Sequence, residues 1–169
     1  MGTTDWHIAQ LNVATAVAPL DSPPLADFMA LLDDVNALAE ASPGFLWRLT
    51  GDGDNATSIR AGDDPKFIVN MSVWRSVEVL FEFVYRSMHT KVMSRRREWF
   101  GKPDQAHQVL WWVPAGHHPS LEEAQARLEH LRAHGPSAHA FTFKDRYPPP
   151  DTAGAPVDMQ PEPYCVGWA

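Results

Sequence analysis

FIVNMSVWRSVEVLFEFVYRSMH, Phe67 to His89, decides the fold. Its first eight residues are β-rich, with Phe67, Val69, Met71 and Val73 on one parity, and they predict a strand over Phe67 to Trp74. The residues from Ser76 to Trp99 predict a helical region, bent or split near Ser87 and Met88. Working upstream, Phe45 to Leu49 reads as a second β-rich run, joined to Phe67 through TGDGDNATSIRAGDDP as a long hairpin connection. Before it, Leu25, Phe28, Met29, Leu32, Val35 and Ala39 repeat at helical spacing. Asp21 or Ser22 is the expected cap, Pro23 or Pro24 suits the first turn, and Pro43-Gly44 is the stop. Trp6 to Ala14 alternates as a strand. Downstream, Gln108 to Val113 predicts a fourth strand. Ser120-Leu-Glu-Glu123 fits a capping box, Leu121, Ala124, Leu128 and Leu131 form one stripe, and Gly135 ends that helix. A short strand is expected at Ala140 to Phe143.

The order β-α-β-β-α-β followed by a helix has a natural packing solution. Two split β-α-β units make an antiparallel four-stranded sheet with helices on one face, an α+β ferredoxin-like arrangement. Strand parity assigns Ala9, Leu11, Val13, Phe45, Trp47, Leu49, Phe67, Val69, Met71, Val73, Val109, Trp111 and Val113 to the face under the helices. The other parity carries Gln10, Asn12, Arg48, Asn70, Ser72, Trp74 and Trp112. Tryptophans among polar groups suit burial against a second copy of the sheet, which predicts a homodimer.

Bulk properties bound the setting. The 169 residues fit one domain over 1–146. From Tyr147 onward, six of the 15 prolines fall in 23 residues, so 147–169 is expected as an extended Pro-rich arm. Formal charge is −7, from 21 acidic against 14 basic residues, which argues against nucleic acid as a partner. No run approaches the roughly 18 apolar residues of a membrane span, and MGTTDWHIAQ lacks the features of a signal peptide. Lone Cys165 permits no internal disulfide, so a cytoplasmic location is expected and the sequon at Asn55 has no role.

The candidate site starts from the helical region. In one continuous helix, Tyr85, His89, Met93 and Arg96 fall on a single stripe. Such a stripe lines a small-molecule cavity or forms a wet seam. His89 titrates near neutrality and suits a general base, against a plain half-buried histidine bonded to Tyr85 or a carbonyl. Tyr85, one turn away, can donate to a substrate oxygen or share a proton with His89; a core-edge tyrosine is the competing reading. Arg95, Arg96 and Arg97 suit a carboxylate, or a solvated helix end complementing the macrodipole. Asn12 and Arg48 belong to the mixed sheet face, where an interior hydrogen-bond network is the competing reading. His117 and His118 after WWVPAG sit where a cleft mouth is expected.

Other patterns carry less. His130 and His134 have a spacing able to hold zinc but lack an accompanying Glu or Cys. The loop with Asp52, Asp54, Asp63 and Asp64 lacks the Gly and Glu of a calcium loop. No nucleophile elbow, phosphate loop or dinucleotide fingerprint is present.

The run VNMSVWRSVEVLFEFVYRSMH, with VLWWVPAGHHPSLEEAQARLEHL after it, resembles an uncharacterised family of small bacterial proteins in the dimeric α/β-barrel superfamily, over His7 to about Lys144. That superfamily also holds antibiotic-biosynthesis-type monooxygenases, haem-degrading enzymes, chlorite dismutases and aldoxime dehydratases. The resemblance implies a dimeric barrel and a ligand between sheet and helices. Asn12 and Trp74 match the monooxygenases in type and location. For haem, Asn12 and Phe83 match, but the expected ligand region holds Met93-Ser94 and His89 lies about one turn early. The expectation is a monooxygenase-type oxidoreductase acting on an aromatic or enolisable metabolite. His89, Tyr85 and Asn12 are its catalytic residues, and Trp74, Arg96, Arg48, Trp47, Phe83, Met93 and His117 hold the substrate. It uses no cofactor, or haem. The alternative is a haem-binding enzyme or a non-catalytic ligand or haem-binding protein, with His89 as axial ligand.

Overall fold

A computed structural model describes residues 5–51, 57, 64–87 and 89–150, without the side chain of His89. The expectations placed on Asp52, Asp54, Asn55, Asp63, Met88 and the arm beyond 150 lie outside these residues. Strands β1 (Trp6–Thr15), β2 (Phe45–Arg48), β3 (Phe67–Trp74) and β4 (Gln108–Pro114) form one antiparallel sheet in the order β2-β3-β1-β4. A 3-10 turn at Pro23–Leu25 and helix α1 (Ala26–Ala41) join β1 to β2. Helices α2 (Val77–Arg86), α3 (His89–Ser94) and α4 (Arg96–Trp99) join β3 to β4, and α5 (Leu121–His134) follows. This is the expected ferredoxin-like topology. The strand expected at Ala140 to Phe143 is reduced to isolated bridges, Leu110 to Phe141 and Ser137 to Ala140.

The faces are used differently from expectation. Ala9, Leu11, Val13, Val69, Met71, Val73, Val109, Trp111 and Val113 are buried as predicted, but beneath α5, through Ala124, Leu128 and Leu131. Each Val, Leu or Met side chain among them contributes about 1.5–3 kcal/mol when fully removed from water. The crossover helices instead cover the mixed face, at its two ends. Ala39, Val77 and Leu80 pack on Ile8, Trp74 and Leu110 at one end. Leu25, Phe28, Trp99 and Phe100 pack near Ala14, Ala16 and Ile68 at the other. The mixed face is therefore filled by the chain's own helices and is not the surface for a second sheet: Trp74 is 1% exposed within the single chain. Trp112 is half-buried and donates Nε1–H to the Tyr147 carbonyl at 2.8 Å. Among the described residues, Val17 is the one large apolar side chain left exposed.

β2 departs from simple alternation. A register shift between Phe45 and Trp47 turns Phe45 to the crossover-helix side, edge-on to Trp74 at 5.3 Å, while Trp47 stays on the α5 side. Gly44, at φ +82°, makes this turn possible. A Cβ there would stand 2.6 Å from Val79 Cγ2, so only glycine lets α2 approach β2 this closely.

Candidate functional site

The cavity follows from the sheet's cross-strand rows. On the crossover-helix face, Trp74, Ile8 and Trp112 form one row, Ser72, Gln10 and Leu110 the next, and Asn70, Asn12 and Gln108 the third. The two patches of helix packing sit at the apolar ends of this face. The polar middle has no apolar partner to draw a helix down onto it, and a cavity of about 390 Å³ lies there, walled by α1 to α4.

Its floor is a hydrogen-bonded set. Gln10 Nε2–H donates to Asn70 Oδ1 at 2.8 Å and to Ser72 Oγ at 3.0 Å, and Trp74 Nε1–H donates to the same Oγ at 2.9 Å. Three donors are thereby satisfied within the floor, which fixes its side chains. Asn12 and Gln108 line the cavity, and among the described residues their amides have no side-chain hydrogen-bond partner. Asn36, on α1, also lines it. Asn36 is 8% exposed and its amide likewise has no partner among the described residues. Phe83 stacks on Trp74 at 5.0 Å and 27°, giving an aromatic wall at one end.

Arg96 and His107 stand in the wall too. The arginine run divides by role. Arg95 binds Glu98, at 2.8 Å, and Asp27, at 2.9 Å, on the surface, where these acids raise its pKa. Arg97 is exposed. Arg96 turns inward, 7% exposed, with its guanidinium over the Phe100 ring at 5.8 Å, and burial pushes its pKa down. α4 is pinned to the end of β1, through Val17 N–H to the Trp99 carbonyl at 2.8 Å and Gly101 N–H to the Thr15 carbonyl at 3.0 Å, so Arg96 is held by backbone. His107 is fixed by its carbonyl, which accepts from Val13 N–H at 2.8 Å. Burial first, then the Arg96 guanidinium, pushes the His107 pKa below its ordinary value, so the imidazole is neutral at pH 7.

Of the predicted residues, Asn12, Arg48, Trp74, Phe83, Tyr85, Met93 and Arg96 line this one cavity. The continuous stripe does not form, because the helix breaks at Ser87, whose backbone is extended and whose Oγ–H donates to the Phe83 carbonyl at 2.5 Å. Tyr85 packs against Phe81 and Phe143, at 4.7 and 5.5 Å. Arg48 is tied to Glu40 at 2.7 Å. Two predicted residues stand elsewhere. Trp47 is on the α5 side of the sheet, stacked on His118 at 4.9 Å, because the face its parity selects is covered by α5 and not by the crossover helices. His117 pairs with Glu123 at 2.7 Å at the start of α5. The His89 side chain lies outside the described residues, and with it the axial ligand on which haem binding would rest. No group of His, Cys, Asp or Glu able to hold a metal occurs among the described residues, although the His130 ring lies 4.6 Å from that of His134 and 4.6 Å from that of His139.

Sequence reasoning missed His107, Asn36 and Gln108. Asn36 had a signal: four residues after Leu32 and three before Ala39, it interrupts the apolar stripe of α1. His107 had none, since it lies just ahead of β4 in an aperiodic segment.

Residues 7–156 match a family described as a domain of unknown function, DUF3291. The chain belongs to that family. No curated protein matches it. Among solved structures, the DUF3291 chain is similar to SnoaB, described as a cofactor-independent oxygenase from Streptomyces nogalater, at 18% identity, 69% coverage of this chain, 98% of that one and a TM-score of 0.40. It is similar to Rv0793 from Mycobacterium tuberculosis at 16% identity, 68% and 99% coverage and a TM-score of 0.45. It is also similar to PA3566 from Pseudomonas aeruginosa at 14% identity, 69% and 100% coverage and a TM-score of 0.45. Likeness at this level carries no argument about activity. No helix of the described residues is long and apolar enough to cross a membrane.

Proposed function

We propose that this DUF3291 protein is an enzyme of the monooxygenase type that binds an aromatic or enolisable small molecule in the cavity between the sheet and α1 to α4. The observation that carries the reading is the cavity's make-up: a fixed floor of hydrogen-bonded side chains, an aromatic wall at Trp74 and Phe83, and a buried guanidinium beside a neutral imidazole. A compound that loses a proton next to a carbonyl develops charge on oxygen, and Arg96 with the Asn12 amide is suited to stabilise it in a site that the helices partly shield from bulk water. His107 is a proton acceptor at neutral pH, Tyr85 in the helical wall is a second group able to move a proton, and His89 is proposed as a third. The carbanion then reduces dioxygen. For a CH2 group, two hydrogens leave, one oxygen atom is kept as C=O and the other departs as water.

The proton step is testable apart from the oxidation. In D2O under nitrogen, the protein is expected to accelerate deuterium exchange at the α carbon of β-tetralone and related enolisable aromatic ketones, read by NMR, with His107→Asn slowing it. In air the same compounds are expected to consume oxygen. No acceleration over buffer with any member of the series overturns the enzymatic reading.

A further inference from the structure

The charged groups of the cavity are lopsided. Among the described residues its lining includes two arginines and no carboxylate, in a chain whose formal charge is −7. Arg48 is already matched by Glu40 at 2.7 Å, near the surface. Arg96 is the deep cation, and a guanidinium held out of water attracts a carboxylate more strongly than one in solvent, because the attraction grows as the local dielectric falls. Its planar fork fits a carboxylate in two parallel hydrogen bonds. In the same lining, Asn12, Asn36 and Gln108 carry amides that have no partner among the described residues, and Asn36 is more than nine-tenths buried. Neutral donors and one deep positive charge suit a monoanion better than a phosphate dianion. The opposite end is Trp74 with Phe83, which suits a flat apolar body.

We propose that the cavity selects an aromatic monocarboxylate, its carboxylate docked on Arg96 within reach of the Asn12, Asn36 and Gln108 amides and its rings along the wall of Trp74 and Phe83. This rests on the reading of the cavity as the ligand site, adds the ligand's charge and orientation to it, and assigns Arg96 to the ligand's carboxylate in place of the oxyanion. His107, also in the lining, completes the polar end.

The test uses two isosteres, 2-naphthoate and 2-naphthamide, titrated into the full chain at pH 7.5 by calorimetry. The naphthoate is expected to bind about tenfold or more tightly than the amide, as one charge-assisted contact implies. Arg96→Gln is expected to abolish the difference by weakening the naphthoate alone, and Arg96→Lys to keep part of it. If Arg96→Gln does not fold, the wild-type ratio still decides, together with the Arg96 Nε–H NMR resonance, which is expected to shift with naphthoate and not with naphthamide. Equal affinities in the wild type overturn the anion assignment and leave the cavity reading standing. Naphthoate preference that persists in folded Arg96→Gln overturns the docking on Arg96. Binding of neither compound at millimolar concentration overturns the cavity reading and this inference with it.

Discussion

Replacing Asn36 by Leu is expected to make the protein more stable and the site worse. Asn36 sits in the interior of α1, 8% exposed, on the stripe shared with Leu32 and Ala39, and its amide has no partner among the described residues. Leucine is close in size and is the better helix former by roughly 0.5 kcal/mol. Withdrawing an unpartnered amide from a mostly apolar wall adds roughly 0.5–1 kcal/mol, at the low end of the usual cost because the cavity side of the group is open to solvent. The sum is about 1–1.5 kcal/mol, which for a chain of this size raises Tm by about 2–6 °C. Urea unfolding followed by circular dichroism measures it, with an unchanged m value showing that the unfolded state is not the cause. Naphthoate affinity should fall in the same variant, the trade expected when a polar group is kept for binding. A loss of more than about 1 kcal/mol on substitution would refute the reasoning, since it would show the amide to be bonded within the fold.

Gly44→Ala is expected to cost more than about 2 kcal/mol, from a left-handed backbone and a Cβ forced to 2.6 Å from Val79 Cγ2; a Tm within 2 °C of wild type, about the shift of 1 kcal/mol or less, would contradict the close α2 to β2 approach. Stability is expected to fall as pH drops below about 6.5, because the unfolded chain protonates His107 while the folded chain, with its lowered pKa, resists, at no more than about 1.4 kcal/mol per pH unit for one proton. His107→Asn should flatten that slope in denaturant titrations between about pH 5 and 7. Exposed His139, lowered by burial and by Arg127 and His130, acts in the same direction but is screened by solvent. A wild-type slope that His107→Asn leaves unaltered would remove His107 as its source.

The strands and helices were legible because their periods are strong: Phe67 to Trp74 was read with its true boundaries, and the Ser87 break was foreseen. The use of each face was not. An alternating strand announces that one face is buried, but not by which helix, and Ala9, Leu11 and Val13 look the same beneath α5 as beneath α1. Trp74 and Trp112 on a polar parity signalled burial correctly, with the burying surface supplied by the chain itself. The register shift in β2 is a backbone event without a residue signature, which is why Phe45 departs from its parity; Trp47 keeps its parity and lies away from the cavity because α5, not the crossover helices, covers that face. In the site, the inward turn of Arg96 and the outward turns of Arg95 and Arg97 depend on how α4 is pinned to β1, a tertiary fact beyond the reach of spacing.

α5 has a wider consequence. By lying on the sheet face opposite the crossover helices, it gives both faces of the sheet apolar cover from within one chain. Contacts between copies, where they form, then fall on helix backs, loops and strand edges rather than on either face of the sheet.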